Sequence, residues 1–158
     1  MDGKEKLNSS QSKTLEEFIL EFLPRKGNKR KSSKNEIEYV CPTLKRIFSK
    51  YFNFRIETVQ ILKAFKELHY SIFIKNNKWD SEKKEIIPAD ELKDPNLEEI
   101  FKNRGDCFIY INIEPSAVRQ LRLITSGLNP TSNKEKLIKK EAMIKRIEMF
   151  KQKMDKNS

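Results

Sequence analysis

The stretch RIETVQILKAFKELHYSIFIKNN, residues 55–77, constrains the fold more than any other part of the chain. Ile61, Leu62, Phe65 and Leu68 recur at helical spacing, and Tyr70 to Lys75 then takes the period of a strand, with Tyr70, Ile72 and Ile74 on one face. The period changes at His69 with neither glycine nor proline between the two patterns. A helix that runs into a strand without a linker must pack beside the sheet that its own strand enters. The functional question is then what the polar side of this helix does, because no catalytic or metal-binding motif stands elsewhere in the chain.

Two more amphipathic helices precede it. Thr14 opens a capping box, T-L-E-E, followed by Leu15, Phe18, Ile19, Phe22 and Leu23 at buried-face spacing, with Pro24 closing the helix. Residues 1–13 are polar and read as a disordered tail. IEYV, 37–40, reads as a brief β-branched strand, and Pro42 suits the first position of a helix carrying Leu44, Ile47, Phe48, Tyr51 and Phe52 inward. A tight turn, Asn53–Arg55, joins it to the helix expected over 56–68.

Beyond the strand at 70–75, residues 76–106 form a long insertion in which 95–103 has room for a helical turn or two. Its single tryptophan, Trp79, is a partner-binding anchor or the cover of a small local core. Gly105 and Asp106 turn the chain into a strand, Cys107–Ile113, and Pro115 opens a helix with Val118, Leu121 and Leu123/Ile124 that Gly127 ends. Asn129-Pro130 is a linker dividing a domain over 14–128 from a C-terminal basic amphipathic helix over 129–158. That helix starts at a capping box, Ser132 to Glu135, and runs to about Met154. Met143, Ile147, Phe150 and Met154 make a heptad-like seam for the chain's own domain or for an oligomer or partner interface. Its lysines allow a second use, laid on nucleic acid or another anionic surface.

Charge enters the argument through its distribution. The chain of 158 residues carries a net charge of +10, a pI near 9.5, and 37% apolar residues. By segment the net charge is +4 over 1–35, +3 over 36–75, −3 over 76–106, +1 over 107–132 and +5 over 133–158. Such a surface suits a polyanionic partner. A Lys-, Asn- and Ile-rich composition with 4 Gly is also what an AT-rich genome imposes, so part of the charge needs no function. The basic linker at 25–35 concentrates Arg25, Lys26, Lys29, Arg30 and Lys31, for polyanion contact or as a solvated loop.

Several chemistries fall away. Two cysteines in no CxxC pair and one histidine make a metal site improbable on spacing, and the cysteines read as reduced and buried. His69 has no nucleophile near it in sequence and reads as a capping or buried residue. The acids of the insertion match no cation-binding loop, and no glycine-rich phosphate loop exists. No apolar run reaches the roughly 18–20 residues of a membrane span, and the N-terminus has no secretory core. The expectation is a cytoplasmic, non-enzymatic protein with no cofactor and no membrane partner.

Helix, basic linker, short strand, helix, tight turn, helix, strand, loop, strand over roughly residues 14–114 resembles the winged helix-turn-helix superfamily. The features that carry the resemblance are IEYV between the first two helices, the turn at 53–55, and the passage ETVQILKAFKELHYSIFI. The expected fold is α+β: a helix-rich winged-helix-like domain with a small antiparallel sheet, an extended wing insertion and the C-terminal amphipathic helix. The chain departs from the family at His69, where glycine is usual, and in the length of the wing. The resemblance implies that Arg55, Thr58, Gln60 and Lys63 make base-edge or near-base contacts. It implies phosphate contacts from Lys45, Arg46, Lys50, Lys75 and Lys78. Duplex DNA is the favoured partner and RNA the other nucleic-acid option, for a regulator or a replication or mobility accessory factor. The alternative is a structural or adaptor subunit of a larger assembly, such as a phage particle or a protein–nucleic-acid machine, bound mainly through protein contacts.

Overall fold

The computed structural model of the chain describes residues 6–25, 36–75, 78–87, 91–93, 95–98, 108–125 and 134–156. Among them the order is α1 (Ser9–Phe22), α2 (Glu36–Tyr51), α3 (Thr58–Glu67), β1 (Ile72–Lys75), β2 (Lys78–Asp80), β3 (Glu85–Ile87), β4 (Glu91–Lys93), β5 (Phe108–Ile111), α4 (Pro115–Thr125) and α5 (Lys134–Lys156). The protein is thus helix-rich α+β with small antiparallel sheets.

Helix α1 starts earlier than the Thr14 capping box predicts. Asn8 is the cap: its Oδ1 accepts from the Gln11 amide at 2.8 Å, and Gln11 Oε1 accepts from the Asn8 amide at 3.1 Å. Thr14 lies inside the helix, its hydroxyl donating to the Ser10 carbonyl at 3.0 Å. Residues 9–13, expected in a disordered tail, are therefore helical. Two reciprocal bonds at Asn8 satisfy amides that the Thr14 start would have left without a helix to join.

Helix α2 also extends toward the N-terminus, and this overturns the strand expected at IEYV. Residues 37–40 are helical, and Pro42 sits inside α2 instead of opening it. The physical reason is the spacing of Ile37, Val40, Cys41 and Leu44, which continues the helical stripe of Leu44, Ile47 and Phe48. Three β-branched or aromatic residues, Ile37, Tyr39 and Val40, carry too little strand preference to break that stripe. Val40 and Cys41 are buried by it, and Cys41 is a free thiol. Pro42 lacks an amide and so removes one helical rung, on the exposed side of α2.

The extended contact between α1 and α2 falls at Arg25. Arg25 bridges antiparallel to Ile113, and the Glu114 amide donates to the Pro24 carbonyl at 3.0 Å. β1 lies between β4 and β5, antiparallel to both, with Ile72 opposite Ile111 and Phe73 opposite Lys93. The insertion therefore supplies its own strand to the main sheet, and a separate hairpin, β2–β3, closes over Ser81–Lys84. Leu97 and Glu98 form a helical turn within the stretch predicted to hold one, and Leu97 packs against the core.

One core joins all of this. Phe18 stacks on Phe22 at 4.4 Å and meets Phe48 edge-on at 5.2 Å, and Phe48 stacks on Phe52 at 4.5 Å. Phe150 of α5 closes the cluster, edge-on to Phe18 at 5.5 Å and to Phe22 at 5.8 Å. Met143, Ile147 and Phe150 are buried and Met154 packs beside them, so this seam is used within the chain and is not open to a partner. α5 belongs to the same body as the helices before it, and the division at 129 is not a boundary between cores. No described helix is long and apolar enough to cross a membrane.

Candidate nucleic-acid interface

The turn between α2 and α3 spans Phe52 to Glu57, and Phe52 and Ile56 anchor it in the core. Glu57 caps α3, and its amide donates to Gln60 Oε1 at 2.7 Å. Ile61, Leu62, Ala64 and Phe65 face inward, which leaves Val59, Lys63 and Glu67 outward at helical spacing. Arg55, in the turn before the Glu57 cap, is exposed.

The four residues expected on the reading surface divide evenly. Arg55 and Lys63 are exposed. Thr58 is only 7% exposed, packed at the first position of α3, and has no access to a base edge. Gln60 is half-buried with its side-chain oxygen committed to the helix cap. The position between the two cations belongs instead to Val59, 43% exposed, which the reading of polar residues passed over. Its signal was present in the spacing, since 59, 63 and 67 lie one helical turn apart.

The remaining candidates are scattered by use. On α2, Arg46 and Lys50 are exposed one turn apart and Lys45 is half-buried, with Lys50 Nζ 5.5 Å from the Tyr51 ring. Arg25 is held for structure: its guanidinium lies 5.6 Å over the Tyr70 ring and donates to the His69 carbonyl at 3.5 Å. Lys66 donates to the Pro95 carbonyl at 2.6 Å and ties the insertion to α3. The side chains of Lys75, Lys78 and Trp79, together with Lys26, Lys29, Arg30, Lys31, Cys107, Gly127 and the capping box at Ser132, lie outside the described residues.

The exit of α3 is the most tightly specified part of the site. His69 takes φ 64°, the left-handed conformation that glycine holds most cheaply. Its amide donates to the Lys66 carbonyl and the Tyr70 amide to the Phe65 carbonyl, both at 3.0 Å, which is a Schellman closure. The Phe65 and Tyr70 rings meet at 5.0 Å across it. The Tyr70 hydroxyl donates to the Leu23 carbonyl at 2.6 Å, and burial pushes its pKa up to about 12 although the Arg25 charge opposes this. One tyrosine thus joins the end of α1, the end of α3 and the start of β1, and so sets the angle at which the outer face of α3 is presented.

Negative charge brackets that face. Glu57 is exposed at its head and Glu67 at its foot. The Glu16 carboxyl on α1 is raised above its ordinary range, first by burial and then by the nearby Glu67 and Glu17 charges. Among the described residues no three His, Cys, Asp or Glu side chains are grouped to hold a metal ion. Compared with protein-family models, curated proteins and solved structures, the chain matches none.

Proposed function

We propose that the protein binds duplex DNA without catalysing a reaction, laying the outer face of α3 into the major groove in the manner of a winged helix. The observation that carries this reading is Val59 and Lys63, exposed one turn apart on a helix whose other face is committed to the core, with Arg55 exposed in the turn that leads into it. Arginine matches the acceptor pair of guanine, lysine reaches base or phosphate oxygens, and an exposed valine suits the methyl group of thymine. Arg46 and Lys50 on α2 supply phosphate contacts that set the register. The order α1, α2, α3, β1, β5 and the extended pairing of Arg25 beyond α1 support the same reading, since a winged helix carries its first strand between its first two helices. In that frame the insertion is an elaborated wing that returns β4 to the sheet.

The test is a titration of the whole chain against duplex DNA, single-stranded DNA and RNA at two salt concentrations. Duplex binding weakens steeply with salt, because phosphate contacts release counterions. R55A/K63A lowers duplex affinity at least about tenfold, and K4A/K6A, on the N-terminal tail, lowers it by less than about threefold. Equal losses from the two pairs would reject α3 as the reading element and leave only general attraction to polyanions. Preference for RNA or single strands would reject the duplex.

A further inference from the structure

With the Met143–Ile147–Phe150 seam consumed by the core, the opposite face of α5 is exposed among the described residues. Ile138 and Met149 on it are 67% and 61% exposed, the two most exposed large apolar side chains described. They belong to a second heptad series, Ile138, Ala142, Lys145, Met149 and Gln152, spaced 4, 3, 4, 3 and exposed throughout. The positions flanking this series segregate by sign. On one side stand Glu141, Glu148 and Asp155, and on the other Lys139, Arg146 and Lys153.

We infer that α5 pairs with α5 of a second copy of this chain as a short, parallel, two-stranded coiled coil along Ile138, Ala142, Lys145, Met149 and Gln152. The charge pattern selects both the partner and the direction. In a parallel pair Glu141 and Glu148 each face the residue five positions later in the other helix. Glu141 then meets Arg146 of the second copy and Glu148 meets its Lys153, each contact occurring twice by symmetry. Only the first such pair, Lys134 with Lys139, is of like sign. An antiparallel pair would set Glu141 against Glu148 on one flank and bases against bases on the other, with only Lys134 placed to meet an acid. Arg146 is already ordered for the contact, its guanidinium 4.6 Å over the Phe22 ring and bonded to Met143 Sδ at 3.9 Å. Lys145 and Gln152 within the seam weaken the association and hold it to two strands. The inference does not depend on DNA binding, and its test contains no DNA.

Sedimentation equilibrium of the whole chain, up to about 1 mM protein, reads the association directly. The wild type forms a reversible dimer in this range. I138K/M149K is a monomer throughout with an unchanged thermal unfolding midpoint, because both side chains are exposed in the monomer. E148K and K153E each raise the dissociation constant about tenfold, since each places two like-charged pairs in its own dimer. An equimolar mixture of E148K and K153E associates as tightly as the wild type. A wild type that stays monomeric, a dimer that survives I138K/M149K, or a mixture no tighter than its components would each overturn the proposal.

Discussion

Arg25 and Arg55 carry the same side chain to opposite ends. Arg25 lies over the Tyr70 ring, bonds the His69 carbonyl and pairs in extended conformation with Ile113. Arg55 stands exposed in the turn before α3. The first belongs to the exit of α3 and the second to its outer face, so two parts of one short helix have been given different work. At the exit, aromatic packing, a left-handed residue and a buried phenol hold three elements together. On the outer face Val59, Lys63 and Glu67 are exposed among the described residues. Variants at the exit should therefore move stability, and variants on the outer face should move binding.

The largest effect expected on this division is at Phe65. It is fully buried, meets Tyr70 edge-on at 5.0 Å, and receives the Tyr70 amide on its carbonyl. F65A removes the ring from a closed site and costs about 3–5 kcal/mol, read by chemical denaturation. V59S, two turns away on the outer face, should change stability by less than about 0.5 kcal/mol. A comparable loss at Val59 would mean that the outer face is packed and would remove the contrast.

Tyr70 sharpens the comparison through pH. Its hydroxyl is buried against the Leu23 carbonyl and its pKa is pushed up to about 12, whereas an unfolded tyrosine ionises near 10. Between those values the unfolded chain loses the phenolic proton and the folded chain keeps it, so stability falls as pH rises from about 10 to about 12. The contribution is fully present below pH 10 and amounts to about 2–3 kcal/mol over that window. Y70F should abolish this alkaline loss and cost about 1–2 kcal/mol at neutral pH by leaving the Leu23 carbonyl unpaired. Absorbance titration of the phenols and unfolding at several pH values check both.

Much of the exit was legible in the sequence and much of the rest was not, for identifiable reasons. The apolar stripes of α1, α2 and α3 were readable because burial repeats every turn, and the change of period at Tyr70 marked the strand. His69 was readable as the residue that must adopt a costly conformation. The starts of α1 and α2 were misjudged because caps compete locally: Asn8 and Gln11 form as good a box as Thr14 and Glu17, and Ile37 to Cys41 satisfy both periods in a short window. The surface of α3 was half legible. Residue type pointed to Thr58 and Gln60, but Thr58 is packed and Gln60 caps its own helix, facts that depend on the rotation of α3 against α1. The pairing of β4 with β1 was unreadable, since nothing in ELK announces a partner sixteen or more residues earlier in the chain.

His69 permits a change in the opposite direction. Its side chain is exposed and its backbone sits at φ 64°, so the imidazole contributes little packing while its Cβ strains the turn. H69G should stabilise the protein by about 0.5–1 kcal/mol, the relief of left-handed strain less the extra freedom of glycine when unfolded. H69V should destabilise it, because a β-branched residue tolerates that region worst. If H69G instead lowers the melting temperature, the exit is held by the histidine side chain and not by the backbone closure.

The smallest effect lies where the two regions meet, at Glu67. It is exposed at the foot of the outer face and is also close enough to Glu16 of α1 to raise that carboxyl. A carboxyl raised on folding stabilises the fold at acid pH and loses that contribution as pH climbs through its folded value. At neutral pH the two ionised groups therefore work against the α1–α3 contact. E67Q removes one charge and supplies an amide donor, so Glu16 should titrate closer to its ordinary range when followed by NMR. Stability at pH 7 should rise by about 0.3 kcal/mol, the scale of one relieved like-charge pair at a surface. Duplex affinity should rise slightly as well, because the same substitution removes negative charge beside Lys63. A gain in stability without a gain in affinity would assign Glu67 to the exit alone and draw the boundary of the binding face at Lys63.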